Sequence, residues 1–279
     1  MDISNYPIKK YIGIAVCAVV LIFLVFALTV PAQVLYSMTV KGAEENGVII
    51  KAANVERGYP VGFNATNVSI TANGSELRIE ELKARISILG FLTGGVKVKV
   101  LGSSDEGRIS VILRRGFFKS SVQLQIDSLS PSNIKTNNVW VGLGDKGVIN
   151  AKGSFSIDDS GCPVGAVTLD GKGLTLSSLA SSFAKEVTGN VQNVQAEIDF
   201  KDCLINVSNL TFYGERSRLT AKGRAGMAAN STEIKVDIIP LMGYEDVLAE
   251  NALLRQYKKS MNSYTMYVTG SLKEPTVRK

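Results

Sequence analysis

Residues Tyr11 to Val30 read YIGIAVCAVVLIFLVFALTV, an unbroken apolar run without a charge that follows directly on Lys9 and Lys10. A helix rises about 1.5 Å per residue, so a segment of this length spans roughly 30 Å, the hydrocarbon thickness of a bilayer. The run predicts a single membrane-spanning helix over residues 11–31. A cleaved export signal has a shorter apolar core, about 7–15 residues, that ends in a small-x-small site. Here the core is longer, and Val30-Pro31-Ala32-Gln33-Val34 follows it without such a site. The sequence therefore reads as an uncleaved anchor. Lys9 and Lys10 abut its N-terminal end, whereas Lys41 beyond it is offset by Glu44 and Glu45. Cations favour the cytoplasmic side, which places residues 1–10 in the cytoplasm and residues 32–279 across the membrane, in the periplasm of a Gram-negative cell.

The exported part is long enough to bury a core as one large all-β domain or two smaller units. Lys and Arg number 31 against 25 Asp and Glu, a net +6 scattered along the chain. That excess is too diffuse for a nucleic-acid surface. The chain has no histidine, which removes His-dependent triads, His-ligated zinc and imidazole acid/base chemistry. Of its three cysteines, Cys17 falls in the apolar run, and Cys162 and Cys203 fall in the exported part. In an oxidising compartment the last two can pair as a disulfide or remain buried thiols.

From about Val48 onward apolar residues alternate with polar ones, the pattern of half-buried strands. Val96, Val98 and Val100 alternate with Lys97 and Lys99, and Val122, Leu124 and Ile126 alternate with Gln123 and Gln125. The same rule holds at Ile109-Val111-Leu113, Phe155-Ile157, Ile198-Phe200, Ile234-Val236-Ile238 and Met266-Val268. Short Gly-, Asp- and Asn-rich turns separate these runs, which predicts antiparallel hairpins and meanders rather than helical crossovers. Two short helices are expected. One runs from Ser177 to about Val187, stopped by Gly189. The other runs from Glu245 to about Met261, acidic at its start and basic at its end, with Val247, Leu254, Tyr257 and Met261 on its apolar stripe.

No catalytic constellation emerges, and no cofactor or metal is expected. Gly142-Leu143-Gly144-Asp145-Lys146-Gly147 matches the dinucleotide fingerprint, but that mechanism needs a helix N-terminus directly after the glycines. Val148 onward reads as a strand, so the glycines read as a hairpin turn. Ser182-Phe183-Ala184-Lys185 matches the serine-lysine motif of penicillin-binding enzymes without its partner motifs in the required order. Arg114-Arg115-Gly116-Phe117-Phe118-Lys119 sets cations beside two phenylalanines. This is a candidate patch for anionic lipid or a protein partner; read structurally, it is a strand end with aromatics turned inward and charges in water.

Leu89-Gly90-Phe91-Leu92-Thr93-Gly94-Gly95-Val96, the closing segment Tyr264-Thr265-Met266-Tyr267-Val268-Thr269-Gly270-Ser271-Leu272-Lys273-Glu274-Pro275 and the strand Leu219-Thr220-Ala221-Lys222-Gly223 resemble the protein N component of bacterial type II secretion systems (GspN). They also resemble the wider AsmA-like envelope proteins. The resemblance implies a mainly β fold: a single N-terminal transmembrane helix followed by a long, curved, mostly antiparallel sheet whose concave face is apolar. It implies a non-enzymatic inner-membrane accessory of protein secretion that docks other envelope components. Through the AsmA-like relatives, the alternative is lipid handling, with the apolar sheet face shielding or transferring acyl chains.

Overall fold

The computed structural model describes residues 29–72, 74–87, 95–104, 107–116, 120–136, 146–157, 162–174, 186–226, 232–260, 262–270 and 275–278. Val30 lies just inside this set. Tyr11 with the rest of the apolar run, Phe117, Phe118, Lys119, the Ser182–Lys185 motif and most of the glycine motif lie outside it. Among the described residues no helix is long and apolar enough to cross a membrane.

The described chain is mainly strand. In order, the strands are β1 Val48–Lys51, β2 Asn54–Arg57, β3 Gly62–Ala72, β4 Ser75–Ser87, β5 Val96–Ser104, β6 Gly107–Arg115, β7 Ser120–Leu129, β8 Ile134–Thr136, β9 Val148–Ile157 and β10 Pro163–Lys172. They continue with β11 Val191–Lys201, β12 Leu204–Gly214, β13 Ser217–Gly226, β14 Thr232–Pro240, β15 Lys258–Ser260, β16 Ser263–Gly270 and β17 Pro275–Arg278. Among the described residues the α-helices are α1 Ala32–Glu44, α2 Glu245–Glu250 and α3 Ala252–Arg255, with a 3-10 turn at Pro131–Asn133 and helical residues at 186–188.

Every described pairing is antiparallel. β1 and β2 lie end to end along one side of β3. The sheet then runs β3, β4, β5, β6, β7, β9, β10, β11, β12, β13, β14, β16 and β17, each bonded to the next. β8 shares the side of β4 that carries β5, and β15 shares the side of β16 that carries β17. No described pairing joins β17 back to β1 or β2, so the sheet is open. Chain order and sheet order nearly coincide because most strands pair with the next along the chain, several through tight hairpins. Between β11 and β12, for example, Asp202 and Cys203 alone make the turn, both at positive φ (54° and 57°) as a type I′ turn requires.

The strands expected from alternation all form, and Val148 does open a strand rather than a helix. The helices differ from expectation. The segment after Pro31 forms α1, whose inward residues Ala32, Leu35, Tyr36, Val40 and Ala43 follow a helical stripe. Tyr36 meets Phe63 edge to face at 5.5 Å. The single helix expected over Glu245–Met261 is instead broken at Asn251, which is extended (ψ 113°). The Asn251 side chain accepts the backbone N–H of Leu254 at 3.3 Å, opening α3 as a new helix. Lys258–Ser260 then leaves as a strand. Leu248 and Leu254 are the buried residues of this region, and Val247, expected on the apolar stripe, is 51% exposed. Of the helix expected at Ser177–Val187, only the last two residues are described.

Candidate functional site

Residues directly opposed in neighbouring strands share a face of the sheet. Following the register from Ala84 gives Val100, Val111, Leu124, Gly153, Val167, Ile198, Val207, Gly223, Ile234, Val268 and Val277. This central row crosses twelve strands without a polar side chain. At about 4.8 Å per strand it is roughly 50 Å long.

Two further rows flank it on the same face. Two residues toward one end of the strands stand Ile86, Val98, Leu113, Val122, Phe155, Gly165, Phe200, Ile205, Ala225, Thr232 and Gly270. Toward the other end stand Leu82, Gly102, Ile109, Ile126, Ala151, Leu169, Ala196, Leu210, Ala221, Val236 and Met266. The three rows form one apolar band, aliphatic apart from Phe155, Phe200 and Met266, with Thr232 as its polar member.

The opposite face is polar. Its corresponding row reads Arg85, Lys99, Ile112, Gln123, Ser154, Ala166, Asp199, Asn206, Arg224, Glu233, Thr269 and Thr276. Some of its cations sit beside acids. Lys83 Nζ lies 2.8 Å from Glu81, Lys235 Nζ 2.6 Å from Asp237 and Arg78 Nε 3.0 Å from Glu76. Burial pushes the Asp237 carboxyl up, but hydrogen bonds from Lys235 and Thr265 outweigh it and hold the group below its ordinary value. A depression of about 720 Å³ on this face, along Lys152, Thr168, Asp170, Asn193 and Glu197, is a trough between polar side chains of mixed charge.

Among the described residues the apolar band is covered at its two ends and along part of its lower row, and its central row is not covered between the ends. At the N-terminal end α1 lies on it, burying Phe63 (4% exposed) and Ala65 (0%). At the C-terminal end Leu248 and Leu254, from α2 and α3, cover Ile238 and Tyr264, both 0% exposed. A smaller cluster closes around Leu174 where β9 and β11 meet the lower rim, with Ile149, Val191 and Val194. Along the central row from Val100 to Val268, by contrast, every residue is only half-buried. Among the described residues no helix or second sheet packs over it. Leu113 (40%) and Ile157 (53%) are exposed at the upper rim.

The candidate patch at Arg114–Lys119 divides. Arg114 pairs with Lys97 and Ser121 on the polar face, whereas Arg115 pairs with Val96 and Ser120 on the apolar face. Both are exposed at the end of β6. Cys162 and Cys203 are joined as a disulfide that ties the start of β10 to the β11–β12 turn, with 5.1 Å between Cα atoms. Among the described residues no group of three or more Cys, Asp or Glu side chains could hold a metal ion. Each strand's alternation was legible beforehand. The alignment of those alternations into one uncovered band was not, because it depends on register. Comparison with family models, curated proteins and solved structures finds no match to this chain.

Proposed function

We propose that the chain is a non-enzymatic lipid-handling protein of the cell envelope, whose apolar sheet face shields acyl chains. The observation that carries this reading is the central row, continuous across twelve strands yet half-buried throughout its middle. Monomeric proteins rarely leave contiguous apolar patches above a few hundred Å² in water. The band's chemistry favours an acyl chain over a protein as its cover. Protein interface cores are rich in Tyr, Trp, Met and Arg anchors, and the central row is Ala, Val, Leu, Ile and Gly. Each methylene it shields contributes about 0.8 kcal/mol. The expected anchor ends at Pro31, which caps α1, and Ala32, the first residue of α1, is 5% exposed against the apolar face, so a chain leaving the bilayer there would meet the band directly.

Full-length protein extracted from membranes in mild detergent and weighed by native mass spectrometry tests this. The expected result is co-purified lipid that is lost in Val167→Lys and Ile198→Lys while the fold, followed by circular dichroism, is retained. A wild-type protein free of lipid under every extraction condition overturns the reading.

A second reading, an accessory that docks envelope components during type II secretion, is supported by the protein N resemblance. The open sheet adds to it, with β17 and β1/β2 leaving backbone groups at both edges for an added strand. Cross-linking in membranes that recovers only monomer beside a complete secretion machine counts against it.

A further inference from the structure

Resting on the lipid-handling reading, we infer that the ligand is an anionic amphiphile whose phosphate or carboxylate seats on Arg115 while its chains lie along the apolar band. From β5 to β14 the described strand residues of the apolar face carry one charge, Arg115, in the rim row Val96, Arg115, Ser120 and Ile157. Its guanidinium therefore stands at the mouth of the band, one row beyond Val98, Leu113 and Val122. A cation on the apolar face of a strand is out of pattern, since alternation puts the charges of β5 and β6 (Lys97, Lys99, Arg114) on the other face. On that face several cations have an acid within 4 Å. Arg115, like Lys97, Lys99 and Arg114 across the sheet, has no acid within 4 Å among the described residues, so what sets it apart is its face. The exposed aliphatics Leu113 and Ile157 beside it give the rim the two-part character an amphiphile needs. The guanidinium supplies paired N–H donors that match a phosphate or carboxylate edge.

The adjacent arginines make the test internal, because Arg114 has the same charge and exposure on the opposite face. Full-length protein, wild type and the variants Arg115→Gln, Arg115→Lys and Arg114→Gln, is titrated with phosphatidylglycerol, oleate and diacylglycerol carrying the same chains, in detergent. Inorganic phosphate at matched concentration is the competitor. Wild type and Arg114→Gln are expected to prefer phosphatidylglycerol and oleate over diacylglycerol by roughly three- to tenfold. Arg115→Gln is expected to lose that preference and keep diacylglycerol binding, and Arg115→Lys to retain most of it. Free phosphate is expected to compete weakly, since it lacks the chains. Arg115→Gln retaining the full preference, or Arg114→Gln losing it equally, overturns the assignment of Arg115 and leaves the acyl-chain reading standing. Failure of wild type to bind any of the lipids overturns both.

Discussion

The rings of Phe155 on β9 and Phe200 on β11 meet edge to face, 5.4 Å between centroids and 70° between planes, although a whole strand lies between them. The residue of β10 that opposes both is Gly165. Without a side chain there, the two rings close over the gap and keep the apolar row continuous. The glycine is also required by its backbone: φ is 156°, and an added Cβ would strike the carbonyl oxygen of Ser154.

Phe155→Ala and Phe200→Ala are each expected to lower stability by about 2 kcal/mol, from half-buried area lost. In a double-mutant cycle the rings should couple by about 0.5–1.5 kcal/mol. Gly165→Ala should cost about 1–3 kcal/mol through backbone strain. Urea denaturation of the four variants checks this, and an additive cycle would mean that the ring contact contributes nothing beyond area.

At the Asp202-Cys203 turn, covalent and conformational effects oppose each other. The disulfide joins residues 41 apart, a loop whose closure is worth about 4 kcal/mol in the chain-entropy model. Cys203 nevertheless holds φ at 57°, a region that costs a side chain about 1 kcal/mol and costs glycine almost nothing. Cys203→Ser should therefore destabilise by about 3–4 kcal/mol, and Cys203→Gly by about 1 kcal/mol less. Thermal melts of both against the wild type measure the difference.

Much of this fold was legible from alternation and turn chemistry. Val96-Val98-Val100 and Ile109-Val111-Leu113 could hardly be other than half-buried strands, and the tight turns between them implied a meander. α1 was hidden because the mixed polar and apolar residues from Pro31 to about Val40 follow the anchor directly, and no capping side chain marks the helix start. The break at Asn251 was hidden because one side-chain cap overrode a long, favourable charge gradient. The parity of Arg115 with Leu113 was present in the sequence, but only the end of β6, at Arg115 itself, shows that this cation stays on the apolar face. The band was least legible. Its rows hold together through register shifts near Ser128 and Ser208, where Asp127 and Ser128 of β7 oppose Asn150 alone and Ser208 and Asn209 of β12 oppose Lys222 alone.

Tyr264 is wholly buried beneath α2 and α3, and its hydroxyl has no hydrogen-bond partner among the described residues. Desolvation raises its pKa above the ordinary 10.0. The unfolded chain ionises there first, so this tyrosine's contribution to stability is complete below pH 10.0 and is lost as pH rises toward its folded value. Tyr264→Phe should leave neutral-pH stability unchanged or raise it by up to about 1 kcal/mol, because it removes an unpaired polar atom. It should also flatten the alkaline loss. Denaturation midpoints from pH 7 to 11 test both expectations.

The most direct measurement is photo-cross-linking of the full-length protein, reconstituted in vesicles, with a phospholipid that carries a diazirine in its acyl chain, the adducts being located by peptide mass spectrometry. The expected result is labelling on the central row at Val111, Leu124, Val167 and Ile198, with the polar-face neighbours Gln123, Lys152 and Thr168 unlabelled. Labelling confined to the apolar run before Pro31, or spread equally over both faces of the sheet, would contradict acyl-chain binding on the apolar face.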